Sequence, residues 1–240
     1  HDGGVLNFGS RNLTFQTAFT RTAGTYSATT GYMIFDGTAG SALAVTQGTD
    51  GFSIPNLRVT NSGANNVALS AVAAQGTVTV TGAFDLANGL TTTQTFTTSG
   101  KFAVAAGATV NYTSGLVSAA PAYAGAVTMV GKTFLTGETF PALLWPSTLT
   151  VTTLTINGAA AGNTIALPGD RAVTTTLNLT QGVLALGTRV LTLSSGSSIF
   201  RTNTASVTVG AGGFAFPSDN TTNVTYYANA AGIGSGIELP

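Results

Sequence analysis

Residues that could bind a metal or catalyse a reaction are scarce in this chain and widely separated. The single histidine is His1, there is no cysteine, and eight acidic residues are spread over 240 positions. A copper brace needs a second histidine, and the aspartates lie mostly beside Gly or Asn, as in capped turns. The sequence therefore predicts no metal site, no disulfide and no cofactor.

Catalysis is equally unsupported by the residues present. A Ser-His-Asp triad would have to use His1. A glycosidase-like carboxylate pair can form between distant residues, so eight scattered acids do not exclude one, but no acid recurs within a strand pair with a partner two residues away. The glycine run at 210–213 lacks the helix and lysine of a phosphate loop. We expect a protein that is not an enzyme.

Aromatic and asparagine side chains are the remaining candidates for binding. Trp145, the sole tryptophan, lies between Leu144 and Pro146 and is either a surface-binding aromatic for sugars or a core or interface anchor. Five asparagines lie in N-x-S/T sequons and are candidate glycosylation sites: Asn12, Asn111, Asn178, Asn220 and Asn223.

The amino-acid composition limits the kinds of partner that the chain is expected to bind. Charged residues make up 7% of the chain, and eight basic residues balance eight acidic ones. This balance predicts no nucleic-acid partner, and near-zero net charge favours association with other copies. No apolar run reaches about 18 residues, so membrane insertion is not expected.

The elements that would position these residues are β-strands. Val and Thr alternate in 76–85, 149–157 and 189–194, and Gly-containing turns recur every 8–12 residues. Helix periodicity is nearly absent. The pattern predicts an all-β fold, either a parallel β-solenoid (β-helix) of irregular repeats or tandem immunoglobulin-like β-sandwiches.

An internal repeat supports a repeated architecture. VLNFGSRNLTF at 5–15 recurs as VLALGTRVLTL at 183–193, and a fainter copy starts at Gly89-Leu90. A hydrophobic-Pro step also recurs, at Ile54-Pro55, Phe140-Pro141 and Leu239-Pro240. These landmarks predict a partial repeat at 1–52, a repeat at 53–139, and a repeat at 140–240 that ends at the start of a further one.

The order of these motifs resembles the β-rich repeats of large bacterial cell-surface and secreted adhesin-type proteins. The segments that carry the resemblance are Leu149–Asn157, Gly182–Ser194, Val224–Tyr226 and Ile237–Pro240, and it covers most of 53–240, although Ser114–Gly131 departs from the pattern. The resemblance implies stacked β-rungs, an extracellular stalk or filament, and adhesion, with no catalytic residues.

We therefore expect a structural subunit or segment of an extracellular surface fibre, stalk or adhesin. Its partners would be copies of itself or adjacent repeats of a longer chain, with glycans as a further candidate. Both ends fall in mid-repeat, so β-edge pairing would join chains end to end. The predicted assembly edges are Val5, Leu6, Phe8, Ile237, Leu239 and Pro240. The alternative is a carbohydrate- or ice-binding β-solenoid module.

Overall fold

The computed structural model describes most of the chain as strands and the turns that join them. It covers residues 2–16, 18–36, 43–46, 51–60, 67–69, 76–87, 95–98, 101–202, 204–216 and 223–227, and contains no helix within them. Two compact units divide the chain, at 1–125 and 126–240.

The first unit winds through three faces, and each turn adds one strand to each face in chain order. Its strands are β1 (Asp2–Gly9), β2 (Leu13–Phe15), β3 (Phe19–Thr20), β4 (Ala23–Ala28), β5 (Met33–Asp36), β6 (Leu43–Thr46), β7 (Phe52–Ile54), β8 (Leu57–Thr60), β9 (Val67–Leu69), β10 (Val78–Val80), β11 (Ala83–Ala87), β12 (Thr95–Phe96), β13 (Phe102–Val104), β14 (Thr109–Ser114), β15 (Leu116–Val117) and β16 (Ala122–Tyr123).

The second unit follows the same plan with one long strand that bends through all its faces. Its strands are β17 (Val127–Lys132), β18 (Glu138–Thr139), β19 (Val151–Asn157), β20 (Thr164–Ala166), β21 (Arg171–Gly187), β22 (Val190–Leu193), β23 (Ser198–Thr202), β24 (Ala205–Val209), β25 (Gly213–Ala215) and β26 (Asn223–Tyr227).

Stacked strands are parallel in every described pair. Their register places side chains at equivalent positions of successive turns next to one another. In the first unit Leu13 pairs with Met33 and Met33 with Leu57. Leu57 then pairs with Phe84, so successive partners are 20 to 27 residues apart. Period-2 alternation puts these apolar side chains inside, where Met33, Leu57 and Phe84 are all buried.

This arrangement confirms the predicted all-β parallel β-solenoid and shows that the alternative of tandem immunoglobulin-like sandwiches is wrong, because sandwich strands are antiparallel. The structural repeat is a single turn, so the predicted repeats at 53–139 and 140–240 would each span several turns. The predicted repeat bounds at residues 52 and 139 stay a prediction.

Candidate functional site: the open edge of the first turn

The first turn of the first unit has partners on one side only. β1 pairs with β4, β2 with β5 and β3 with β6. No other strand among the described residues pairs with β1, β2 or β3. We call the side of β1 and β2 that faces away from β4 and β5 the open edge; it is a row of backbone groups able to pair with another strand.

The open edge belongs to a corner that occurs twice in the chain. The N-terminal corner (Val5–Phe15) and the internal corner (Val183–Leu193) are the two copies of the repeat found in the sequence. Gly9 and Gly187 take left-handed φ values of 56° and 59°. The turn closes identically in both, because Arg11 N donates to Phe8 O at 2.9 Å and Arg189 N donates to Leu186 O at 2.8 Å.

In both corners, the turn that follows donates backbone hydrogen bonds to the carbonyl of the corner glycine. The Gly9 carbonyl accepts hydrogen bonds from the backbone N–H groups of Thr29 and Gly31, and the Gly187 carbonyl accepts them from Gly210 and Gly212. The sequence repeat is therefore also a repeat of local conformation and of stacking onto the following turn.

The two corners differ on the side of the preceding turn. β20 and the start of β21 pair with the internal corner on that side, through Thr164–Ala166 and Arg171–Val173. Leu184 of the internal corner is 0% exposed, whereas its counterpart Leu6 is 39% exposed. Leu6 is inward-facing, since its register partner Tyr26 is buried. The open edge therefore exposes the end of an apolar core.

An asparagine at the corner of the first turn shows the same one-sided bonding. Asn56, two turns later, bridges both neighbouring turns: its Nδ2 donates to Gly31 O at 3.0 Å and its Oδ1 accepts from Ala83 N at 2.9 Å. Asn12 Oδ1 accepts from Tyr32 N at 3.0 Å. Among the described residues, Asn12 therefore bonds only to the following turn, whereas Asn56 bonds to the turns on both sides.

The predicted assembly residues that the structure describes differ in how exposed their side chains are. Val5 is 70% exposed and lies on the outer side of β1, while Leu6 is half-exposed at the end of the core. Phe8 is buried, so it supports the corner from within rather than offering a surface. Ile237, Leu239 and Pro240 lie outside the described residues.

Trp145 requires a correction. Its side chain is fully buried, and its ring meets Phe140 edge-on at 5.4 Å between ring centroids. A buried ring cannot serve as a platform for sugars, so the expectation of a surface-binding aromatic is wrong. Trp145 Nε1 is buried without a hydrogen-bond partner, which typically costs about 1–3 kcal/mol.

The sequons fall in different surroundings. Asn12 is exposed at the first corner and Asn178 is half-buried on β21. Asn111 is buried and donates from Nδ2 to Asp85 Oδ1 at 2.5 Å, so the expectation of a glycan at this position is wrong. Asn220 and the side chain of Asn223 lie outside the described residues.

A polar cluster on the second face of the first unit was not found from the sequence. Arg58, Asp85 and Asn111 occupy one register column of β8, β11 and β14. Arg58 Nη2 donates to buried Asp85 Oδ2 at 2.8 Å, and the guanidinium lies 4.5 Å from the centre of the Tyr32 ring. Only strand register, which a single sequence does not show, brings these residues together.

This cluster has the chemistry of a structural bridge between turns. Asp85 accepts from Arg58 with one oxygen and from Asn111 with the other. Burial raises the pKa of the Tyr32 phenol above its ordinary value; the Asp85 charge raises it further, and Arg58 opposes both. With the carboxylate already engaged on both oxygens, we assign it no reaction.

Within the part of the chain that the structure describes, no three acidic, histidine or cysteine residues gather as metal ligands do, and no helix is long and apolar enough to cross a membrane. The chain matches no known protein family, no curated protein and no solved structure.

Proposed function

We propose that this chain is a structural subunit or segment of an extracellular surface fibre, stalk or adhesin that assembles end to end by β-edge pairing. The observation that carries the proposal is the open edge, where Leu6 is 39% exposed although its internal counterpart Leu184 is fully covered by a preceding turn.

Pairing at such an edge is physically favourable. A second chain that adds one parallel strand to β1 and another to β2 would satisfy their backbone groups and would cover Leu6, Leu13 and Phe15, which are exposed or half-buried. Pairing of an N-terminal edge with a different surface of the next copy is head-to-tail. Such contacts extend into filaments unless the rotation closes a ring.

The extracellular setting is proposed from the resemblance to adhesin-type repeats and from the low charge content. The alternative of a carbohydrate- or ice-binding face finds no specific observation in its favour. On the second unit the outward column Thr128, Thr153, Thr176 continues as Ser198, and the neighbouring column includes Asn178 and Phe200. A flat, regular array of threonines is therefore not formed there.

The test is whether self-association depends on the open edge. We expect the purified chain to form a concentration-dependent series of oligomers in sedimentation velocity and short fibres in negative-stain images. Leu6→Asp should abolish them, because a carboxylate would have to be buried on pairing.

The control for this variant is Leu143→Asp, which changes a residue of similar exposure (44%) in a turn of the second unit. It should assemble like the parent chain, and both variants should still unfold in one cooperative transition at a concentration at which the parent is monomeric. Monomers at all concentrations, or assembly that Leu6→Asp leaves intact, would contradict the proposal.

A further inference from the structure

The internal corner borders a groove on the outer side of the second unit. The groove has a volume of about 350 Å³, and the residues that line it include Thr139, Ala166, Pro168, Ala185, Thr188 and Arg189. These residues belong to three successive turns, so the groove is about 10 Å long, since neighbouring strands lie about 4.8 Å apart. Sites for small ligands have volumes of about 300–1,000 Å³, so the groove has room for a small one.

The floor of the groove is apolar, and hydroxyl groups lie at both of its ends. Ala166 and Ala185 are register partners on the outer side of the strands, because the residues before and after each alanine are buried. Thr139 precedes the two alanines in this column and Thr208 follows them, and both threonines are exposed. Two small side chains between two larger ones therefore form a depression.

Arg189 supplies a positive charge at the corner side of the groove. Its side chain is exposed, and it forms no hydrogen bond or ion pair with any residue that the structure describes. The backbone of Arg189 is fixed, because its N donates to Leu186 O at 2.8 Å and its O accepts from Gly213 N at 3.0 Å. The guanidinium is therefore available to a ligand, and its planar set of donors matches a carboxylate.

A second arginine adds to the positive potential at this corner. Arg171 Nε donates to Trp145 O at 2.9 Å, and Arg171 Nη1 donates to Asp170 O at 2.7 Å. Burial lowers the pKa of the Arg171 guanidinium; the Asp170 charge opposes this effect, and the Arg189 charge lowers the pKa further. The two guanidinium groups are therefore close enough to repel each other, and a bound anion would relieve that repulsion.

The acidic groups near the groove leave this charge uncompensated. Asp170 Oδ1 already accepts a hydrogen bond from Val190 N at 2.9 Å. Glu138 is the register partner of buried Ile165, so it occupies an inward position and not the outer column of the groove. The corner thus has a local excess of positive charge in a chain whose net charge is zero.

The backbone around the groove is paired on both sides. β20 lies between β18 and β21, and residues 183–185 of β21 lie between β20 and β24. An extended peptide could therefore add no strand here, and recognition depends on side chains. A guanidinium, hydroxyl groups and an apolar floor together suit a ligand that has a carboxylate, hydroxyls and a C–H face.

We propose that this groove binds a sugar acid, a hydroxylated ring that carries a carboxylate, either free or as a residue of an acidic polysaccharide. The carboxylate pairs with Arg189. The ring hydroxyls bond to Thr139 and Thr188, and the C–H groups of the ring lie on Ala166 and Ala185. This is one groove at a corner and not a regular binding face on a sheet. All its residues belong to the second unit, so the site goes beyond the proposed assembly and does not depend on the open edge.

Calorimetric titration of the purified chain with a trisaccharide of D-glucuronic acid tests the site. We expect a dissociation constant of about 1 mM or tighter. The methyl ester of the same trisaccharide keeps the hydroxyls and loses the charge, and it should bind at least about tenfold more weakly. Titration with D-glucuronate itself identifies the source of the ligand: equal affinity for the monomer indicates a free acid, and tighter binding of the trisaccharide indicates a polysaccharide.

Two variants of the groove separate charge from shape. Arg189→Gln should weaken binding of the trisaccharide at least about tenfold, since the guanidinium is lost. Ala166→Leu should have a similar effect, because it fills the floor and leaves the charge in place. Both positions lie on the outer side, so circular dichroism and the unfolding transition should match those of the parent.

The N-terminal corner offers a matched control. Arg11 is exposed and follows the same glycine turn as Arg189, but no described strand of a preceding turn lies beside it to form a groove. Arg11→Gln should therefore leave the affinity unchanged.

Four results would overturn the proposal. They are no heat of binding up to about 10 mM trisaccharide, equal affinity for the methyl ester, full affinity in Arg189→Gln, and equally tight binding of a tri-glutamate peptide, which would show that the groove recognises charge alone. Each of them would leave end-to-end assembly standing, because that assembly is measured by sedimentation of the chain without ligand.

Discussion

Single residues in this molecule act mainly by permitting close approach between turns. Gly212 is the clearest case, since a Cβ there would lie 2.1 Å from Arg189 O and 2.5 Å from Arg189 N. A Cβ at Gly31 would likewise lie 2.1 Å from Arg11 O in the N-terminal corner. The two glycines occupy equivalent places over the two corners. They explain why a small residue follows each copy of the repeat one turn later.

A neighbouring glycine pair allows a direct test at this scale. Gly212→Ala should destabilise the fold by about 2–4 kcal/mol, because its methyl group overlaps backbone atoms that cannot move away. Gly213→Ala should change stability by less than about 0.5 kcal/mol, since nothing lies within 4 Å of a Cβ at that position. Urea unfolding followed by circular dichroism measures both, and equal stabilities would refute the close-packing argument.

Strands in this fold are distinguished by how many of their edges are paired. Leu13 N donates to Tyr32 O, toward β5, so the N–H of the next residue, Thr14, faces the open edge. In the internal corner Val190 N donates to Asp170 Oδ1 on the preceding side, and two residues later Thr192 N–H faces Arg171–Val173. Thr14 and Thr192 are equivalent residues, but only the N–H of Thr192 faces a strand on the side of the preceding turn.

Proline substitution at these two positions measures that difference. Thr192→Pro should cost about 2–3 kcal/mol, because proline removes a ladder donor and strains an internal strand. Thr14→Pro should cost less than about 1 kcal/mol in the isolated chain, since edge strands tolerate proline. Thermal unfolding of the two variants at low protein concentration gives the comparison. A loss for Thr14→Pro as large as for Thr192→Pro would mean that the open edge is paired within the chain.

At the scale of the whole molecule the dominant feature is near-zero charge combined with an exposed apolar core end. Eight basic and eight acidic residues cancel, so long-range electrostatics contributes little to association. Burial of apolar surface and backbone hydrogen bonds at the open edge would then supply the attraction between copies. In a solenoid each turn contacts its neighbours in the stack, so under the proposed assembly an added copy would extend the stack without altering it.

Salt dependence distinguishes this kind of assembly from one held by charge. Raising sodium chloride from about 0.05 M to about 0.5 M should change the self-dissociation constant less than about twofold, because such salt screens exposed charge pairs but not apolar contact. Sedimentation velocity across the series provides the measurement. Several-fold weakening with salt would show that ion pairs hold the copies together.

The sequence by itself determined the local chemistry of this protein. Alternating Val and Thr predicted strands, because only one face of each can be buried, and the repeat at 5–15 and 183–193 predicted two equivalent segments that prove to be the same corner. The absence of cysteine and the scarcity of histidine restricted the possible chemistry before any fold was known.

Only the tertiary structure decided which residues meet and which are covered. The column of Arg58, Asp85 and Asn111 depends on register between strands about 26 residues apart, which turn lengths set and composition does not. Asn111 is buried where its amide meets Asp85 of the neighbouring turn, and Trp145 is buried with its ring against Phe140. Leu6 and Leu184 have matching local sequences, and only the presence or absence of a preceding turn makes one half-exposed and the other buried.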